Sequence, residues 1–336
     1  MMLNRRTFLQ SAGAAALCPA GVALAAEPQA SKTPKTPKTP LTLWGPPAAP
    51  SIALAQAVAG GALADIDASA VFRIWRTPDE MRAGLSSGSM QAVIVPSNVA
   101  ANLYNRGLDV RLLNILTRGL LYLVADEELS RIEQLAGKSI AVPFRNDMPD
   151  LILRRLLGRI GLKPGTDVKF DYAGSPTEAM QMLLAGRVAA ALLSEPAATT
   201  AILRAKLKLT SIVRAIDCQK EWAKTIGGDG FIPQAGLAVT GPLIDRIGPG
   251  GLKALQNALQ AAVDYVVAHP VRASVASAAE FGLMSAVVAE AIPHSNLVAL
   301  SASSVRPQLE AFFSILAQDD PRIIGGKLPD DTFYAL

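Results

Sequence analysis

Short apolar runs alternate along this chain with longer segments of helical character. The runs Leu41–Trp44, Val71–Trp75 and Ala92–Val95 have the length and apolar content of buried strands. Between the first two, Ser51–Val58 is rich in alanine and other apolar residues, which favours a helix. Strands that alternate with helices predict βαβ units, in which parallel strands form a sheet covered by helices on both faces.

The same order of elements occurs a second time, at an offset of 98 residues. Thr77–Glu80 and Ser175–Glu178 both place a hydroxyl residue at the N-cap, proline at the first helical position and glutamate at the third. Any two βαβ units look somewhat alike, but this shared start favours a duplication. Further elements predicted for the second copy are strands Ser139–Val142, Val168–Tyr172 and Ala190–Leu193, a helix over Asp150–Ile160, and a glycine stop at Gly186 that matches Gly88. The repeat predicts two similar α/β lobes that face one another.

The pattern changes after Arg204. Leu237–Val239 is predicted to be a strand, and the rest of the chain is largely helical. The predicted helices cover residues 251–268, 270–279, 286–292 and 303–317. They are rich in alanine and leucine and carry no charge runs, so we expect them to cover the first lobe.

The N-terminal segment is typical of an export leader. Arg5 and Arg6 precede an uncharged apolar stretch that ends in small residues near Ala26. Paired arginines before Phe-Leu favour the twin-arginine route over an ordinary Sec leader. Residues 1–26 are therefore predicted to be a signal peptide, and residues 27–40, with three Lys-Thr-Pro repeats, an extended tether.

Composition excludes several classes of protein. Residues 1–40 hold five of the 32 basic residues and one of the 28 acidic residues, so the remaining chain is formally neutral. The basic balance therefore does not indicate nucleic-acid binding. Two cysteines and two histidines exclude a disulfide scaffold and leave little room for a metal site or a histidine-based triad, and no cofactor motif occurs. Cys218, alone after leader removal, is predicted to be buried and inert.

Ligands of parallel α/β sheets bind beyond the carboxyl ends of the strands, where loops lead into helices. The repeat places six such loops around one shared cleft. They are Gly45–Pro50, Trp75–Pro78, Pro96–Val99, Pro143–Pro149, Ala173–Pro176 and Ser194–Ala197. Helix N-termini present unpaired N–H groups and a positive dipole end, so the cleft is expected to favour a small anionic or zwitterionic solute.

Arg76, Arg118 and Arg145, in or near these loops, could bind an oxyanion through two hydrogen bonds each. For Arg76 and Arg145 the alternative is a solvated loop charge. Trp75 and Trp44 could form a flat wall, although a core position suits Trp44 better. Glu195 could meet an amine or cap its own helix. The candidate ligand-binding residues are Gly45, Pro46, Pro47, Trp75, Arg76, Ser97, Asn98, Arg118, Arg145, Asn146, Asp147, Ser175, Ser194 and Glu195. No catalytic or metal-binding residue is predicted.

Four segments in order resemble the ABC-transporter solute-binding proteins for nitrate, sulfonates, taurine and thiamine precursors. They are Leu135–Pro143, Gly161–Gly165, Glu178–Arg187 and Ser194–Pro196. The resemblance implies a type II periplasmic binding fold of two Rossmann-like lobes joined by a two-strand hinge, with crossings near 121–126 and 234–240. The first lobe would comprise residues 41–122 and 238–336, and the second residues 123–237. Arg145–Asp147 departs from the small hydroxyl-rich loop often found there, so the ligand is not carried over.

The resemblance further implies a monomeric periplasmic protein that captures a solute by hinge closure, without chemistry or a cofactor, and delivers it to an inner-membrane permease. A pyrimidine-synthase-like enzyme on the same fold is the alternative, but such enzymes rely on histidine and cysteine clusters. A ligand-sensing module for a signalling partner is a second alternative that the sequence does not separate from transport.

Overall fold

The computed structural model describes residues 39–336, so the predicted leader and nearly all of the predicted tether lie outside the described residues. Strands and helices alternate through the first two thirds of this range, and helices dominate the remainder. The strands are β1 (Thr42–Gly45), β2 (Val71–Ile74), β3 (Ala92–Pro96), β4 (Val110–Leu112), β5 (Asn114–Thr117), β6 (Leu121–Ala125), β7 (Ser139–Pro143), β8 (Lys169–Ala173), β9 (Ala190–Ser194), β10 (Val213–Asp217), β11 (Ala235–Thr240) and β12 (Leu297–Ser301). The helices are α1 (Pro50–Ala59), α2 (Ala64–Asp67), α3 (Pro78–Ser87), α4 (Ser97–Asn105), α5 (Met148–Arg159), α6 (Pro176–Leu184), α7 (Ala197–Leu207), α8 (Cys218–Thr225), α9 (Gly241–Ala268, kinked at Gly248), α10 (Pro270–Phe281), α11 (Ser285–Ala291) and α12 (Arg306–Ala317).

Two five-stranded sheets repeat one another strand for strand. The first sheet has the order β2-β1-β3-β11-β4 and the second the order β8-β7-β9-β6-β10. In each, the three strands of the sequence repeat are parallel, whereas the fourth runs antiparallel to both of its neighbours. The duplication is therefore confirmed in three dimensions. The expectation of wholly parallel sheets was wrong, because the fourth strands lie where the chain moves between the sheets and enter from the opposite end.

The repeated helix starts have the predicted caps. Thr77 Oγ1 accepts a hydrogen bond from Glu80 N at 3.2 Å, and Ser175 Oγ accepts one from Glu178 N at 3.1 Å. The Oε2 atom of each glutamate also accepts a hydrogen bond, at 2.7 Å in both copies, from the backbone N of the residue before the cap. These residues are Arg76 and Gly174. These reciprocal bonds satisfy donors that the first helical turn would otherwise leave unpaired, which is why the same four-residue pattern starts a helix twice.

The central strands are buried on both faces. Every residue of β6 and β9 is buried, which explains why they read as unbroken apolar runs and do not alternate. Burial of each large apolar side chain stabilises the fold by about 1.5–3 kcal/mol before the entropy of ordering is counted.

The chain passes between the sheets twice. The first link joins β5 to β6 and the second joins α8 to β11. The links run side by side, because Ile232 N donates to Arg118 O at 3.0 Å and Leu120 N donates to Gln234 Oε1 at 3.3 Å. Both links precede the crossings expected at 121–126 and 234–240, since most of those residues already belong to β6 and β11.

The sequence pattern suggested that the helical tail covers the first lobe only. In the structure, the tail also contacts the second half of the molecule. Helix α9 packs on α1 and α2, beside the first sheet. Helix α12 contacts both halves of the molecule. Its Phe312 lies 5.6 Å from the ring of Trp222 on α8, and its Phe313 lies 6.3 Å from the ring of Phe333.

Across residues 39–336, no helix taken alone has both the length and the hydropathy needed to cross a membrane; the bent pair Pro270–Phe281 and Ser285–His294 meets those criteria only when its two helices are combined.

Candidate functional site: an apolar cleft between two sheets

The six loops predicted from the repeat meet in one cleft of about 100 Å³ between the two sheets. One water molecule needs roughly 10–15 Å³ by the same measure, so the cleft suits a small molecule. Every loop contributes at least one lining residue, which confirms the predicted position of the cleft. The lining residues from these loops are Pro46, Pro47, Ala48, Pro50, Trp75, Pro78, Pro96, Pro143, Phe144, Asp147, Met148, Pro149, Pro176 and Ser194.

Proline is the commonest residue in the cleft, and eight prolines line it. The repeat explains this, because each of the six loops leads into a helix that has proline at its cap or in its first turn. The helices and their prolines are α1 with Pro50, α3 with Pro78, α4 with Pro96, α5 with Pro149, α6 with Pro176 and α7 with Pro196. Proline has no N–H group. Each of these helix starts therefore lacks one of the donors on which an anion site at a helix N-terminus depends.

Aromatic, thioether and aliphatic side chains supply the rest of the apolar lining. Trp75 is 5% exposed, and its indole Nε1 donates to Ile94 O at 3.0 Å, so the polar atom of the ring is used within the protein. Met81 and Met148 lie on opposite sides of the cleft, on α3 and α5. Leu120 comes from the first link. This surface is suited to apolar contact.

Only three of the lining residues are polar: Asp147, Ser194 and Gln234. The Asp147 carboxylate is fully engaged, since Oδ1 accepts from Met148 N at 3.0 Å and Oδ2 accepts from Arg82 Nη2 at 2.9 Å. Ser194 Oγ and Gln234 Nε2 form no hydrogen bond with any residue in 39–336, and Gln234 Oε1 accepts from Leu120 N. These two groups are therefore the side-chain polar atoms of the lining that have no partner within residues 39–336.

Two bonds join the opposite rims of the cleft. Ala49 N, at the cap of α1, donates to Glu195 O at 2.9 Å. Arg82 of α3 pairs with Asp147 at the N-cap of α5. Because each bond connects a loop or helix of the first sheet with one of the second, the two sets of loops are in direct contact.

Arg145, Asn146 and Asn98 are not among the residues that line this cleft. They line a second, broader cavity of about 840 Å³, together with Arg82 and Arg154. The Arg145 guanidinium is exposed and lies 5.3 Å from the centre of the Tyr172 ring. The backbone accounts for this direction: Phe144 and Asn146 have φ of 59° and 62°, so the loop turns Phe144 toward the cleft and Arg145 outward.

The other two predicted arginines also lie outside the lining. Arg76 is exposed. Arg118 pairs with Asp229 and covers the Phe231 ring at 4.7 Å. The exposure of Arg145 and Arg76 agrees with the solvated alternative for these two residues, and Arg118 has a partner within the protein.

Three small residues among the candidates have structural contacts within or next to the loops. Gly45 leaves space for Ser51, since a Cβ at Gly45 would lie 2.2 Å from Ser51 Oγ. Ser97 Oγ donates to Pro233 O at 2.6 Å and fixes α4 to the second link. Ser175 is the cap of α6. None of the three lines the cleft.

Glu195 is fully buried and faces away from the cleft lining. Its Oε1 accepts from Arg214 Nε at 2.7 Å, and its Oε2 accepts from Thr199 N at 3.1 Å in the first turn of α7. Of the two alternatives for Glu195, helix capping is the one that these contacts favour, because both carboxylate oxygens have partners within the protein. Trp44 is partly buried and packs against the core, and its indole Nε1 is buried without a partner within residues 39–336.

Sequence reasoning missed Gln234, Met81 and Leu120 as lining residues. Gln234 lies in the predicted crossing region, and this position at a link between the sheets could have indicated that it lines the cleft. Met81 sits on α3 and reaches the cleft from a helix, where the repeat alone gives no indication.

No protein-family model matches this sequence, and no curated protein matches it. Solved structures do resemble it. An ABC transporter protein from Parabacteroides distasonis is 24% identical, with a TM-score of 0.73 over 88% of this chain and 98% of the other. The periplasmic aliphatic sulphonate binding protein SsuA from Escherichia coli is 15% identical, with a TM-score of 0.69 over 88% and 91%.

The periplasmic nitrate-binding protein NrtA from Synechocystis PCC 6803 is 14% identical, with a TM-score of 0.56 over 75% of this chain and 69% of the other. At these identities the likeness concerns the fold. The structural neighbours of this chain are thus ABC-transporter periplasmic binding proteins, and the chain has their fold, two α/β sheets with a ligand-sized cleft between them.

Proposed function

We propose that this chain is the exported substrate-binding protein of an ABC importer, which captures a small organic solute between two lobes and delivers it to a membrane permease. One observation carries the proposal: all six loops from the two sheets contribute to a small-molecule cleft, and the two sets of loops bond to each other across it. A solute that touches both rims binds the closed form better than the open form, and so shifts the equilibrium toward closure.

The lobes were expected at residues 41–122 with 238–336, and residues 123–237. In this proposal they meet instead at the observed links, 118–120 and 226–234, so that β6 and β11 each belong to one lobe. The two short links between the sheets would act as the hinge, because they are the segments that carry the chain from one lobe to the other. We further propose a monomer in the periplasm, exported by the twin-arginine route, with no catalytic step. The neighbours in structure are binding proteins, which favours capture over the pyrimidine-synthase-like alternative.

Closure is measurable with two spin labels on the edge strands of the sheets. Arg73 on β2 and Lys169 on β8 are both exposed, and the remaining Cys218 is buried, so Arg73→Cys and Lys169→Cys give selective labelling. Solute extracted from protein purified out of its native compartment, identified by mass spectrometry, should shorten the distance between labels when added back. Failure of every extracted solute to change that distance, or conversion of the solute by the purified protein, would contradict the proposal.

A further inference from the structure

The chemistry of the cleft lining identifies a class of solute. Resting on the proposed function, we propose that the cleft takes an uncharged, largely apolar small molecule with one hydrogen-bonding group, and that it excludes nitrate and sulfonates. This departs from the anionic or zwitterionic solute expected from the sequence.

The charged group at the cleft lining is already paired. Asp147 is the one ionisable residue among those that line the cleft, and Arg82 already neutralises it. The arginines nearest in sequence to the loops point elsewhere, toward Tyr172 and Asp229. An anion in the cleft would lose its hydration without gaining a cationic partner, and a cation would compete with Arg82 for the same carboxylate.

Proline also removes N–H donors from the helix starts around the cleft. Anion sites on this type of sheet depend on backbone N–H groups at helix N-termini. Here proline occupies the cap or the first turn of all six helices, and five of these prolines face the cleft. Caps at Thr77, Ser175 and Asp147 use further donors of the same turns. The cleft therefore presents ring methylene groups where an anion would need donors.

The other lining residues indicate which apolar part and which polar group a solute would need. Trp75, Phe144, Met81 and Met148 provide flat and adaptable apolar contacts. Ser194 Oγ and Gln234 Nε2 are free to bond, and both stand at lining positions close to the links. A solute with a hydrocarbon or aromatic body and one hydroxyl, carbonyl or amide group would satisfy both features.

A matched panel tests the class. Benzyl alcohol, benzamide, benzenesulfonate and benzylammonium share one ring and differ in polar group and charge. Titration of each, followed by protein NMR shifts of the cleft residues and by the label distance, should show the neutral pair binding at least tenfold more tightly than either ion. Ser194→Ala should weaken the neutral probes by about fivefold, as expected for one neutral hydrogen bond. Ser303→Ala, an exposed serine whose side chain makes no hydrogen bond in residues 39–336, is the control.

The solute released from native protein decides the remaining cases. A neutral molecule supports the inference. A sulfonate, nitrate or amine that closes the lobes overturns the inference and leaves the proposed function intact. If neither the panel nor any released solute closes the lobes, the proposed function fails and this inference fails with it.

Discussion

Arg82 on α3 and Asp147 at the start of α5 form an ion pair across the cleft, with 2.9 Å between Nη2 and Oδ2. The Asp147 side chain is 7% exposed and that of Arg82 is 37% exposed, so the pair is partly screened by solvent. It joins elements of the two sheets, and it therefore exists only when the rims are together.

Breaking this pair should favour the open form. Arg82→Gln removes the cation and leaves the α5 cap intact. For a partly exposed pair we expect a loss of up to about 1 kcal/mol, or about fivefold in the dissociation constant of any solute that closes the cleft. Calorimetry and the label distance on β2 and β8 measure the effect.

Asp79→Asn is the matched control, because Asp79 is also near Arg82, at 3.8 Å, but is fully exposed and lies on the same helix. It should leave closure unchanged. Equal effects of Arg82→Gln and Asp79→Asn would show that the interlobe pair does not act as a latch.

Arg214→Met should destabilise the fold strongly, because it leaves the Glu195 carboxylate buried without a cationic partner. Loss of one member of a buried pair costs about 3–5 kcal/mol. Urea unfolding gives the change in free energy. Arg118→Met, whose partner Asp229 is exposed, should stay within about 1 kcal/mol of wild type. A small effect of Arg214→Met would mean that water reaches Glu195.

Cys218 should resist thiol reagents in the folded protein. Burial raises the pKa of its thiol, and the neighbouring carboxylates of Asp217 and Glu221 raise that pKa further. Since the thiolate is the reactive form, Ellman's reagent should modify Cys218 only after unfolding in denaturant. Rapid modification of the native protein would contradict this placement.

Stability should fall slightly in mild acid because of His294. Partial burial, with a further contribution from Arg214, lowers the pKa of His294 below 6.5. As the pH falls below about 6.5, His294 of the unfolded chain takes up a proton before His294 of the folded protein does. The free energy of unfolding therefore decreases as the pH falls from the unfolded-state pKa to the lower folded-state pKa. The side chain is largely exposed, so the loss should be below about 1 kcal/mol. Urea midpoints at about pH 7.5 and about pH 5.5 should differ less in His294→Gln than in wild type.

Features set by local chemistry were predictable from the sequence. The caps at Thr77 and Ser175 depend on four consecutive residues, and both formed as expected. The strands of the repeat depend on short apolar runs, and all six occur within two residues of their predicted bounds. Since loops at strand ends follow from those two features, the position of the cleft was predictable as well.

The direction of a side chain and the identity of its partner were harder to predict from the sequence. Arg145 lies in a predicted loop, but the positive φ values of Phe144 and Asn146 turn it out of the cleft. Glu195 lies at a predicted strand end, but Arg214, 19 residues further along, holds it in the core. Both outcomes depend on contacts or backbone angles that no short sequence window specifies.

The fourth strand of the first sheet has a consequence for how the molecule assembles. All strands of the second sheet lie within residues 121–217, whereas β11, which separates β3 from β4, comes later in the chain. It fits closely: a Cβ at Gly236 would lie 1.9 Å from the Asn114 carbonyl oxygen. During synthesis the second sheet can therefore form completely before the first. The first sheet lacks its fourth strand until β11 has been synthesised and inserted between β3 and β4.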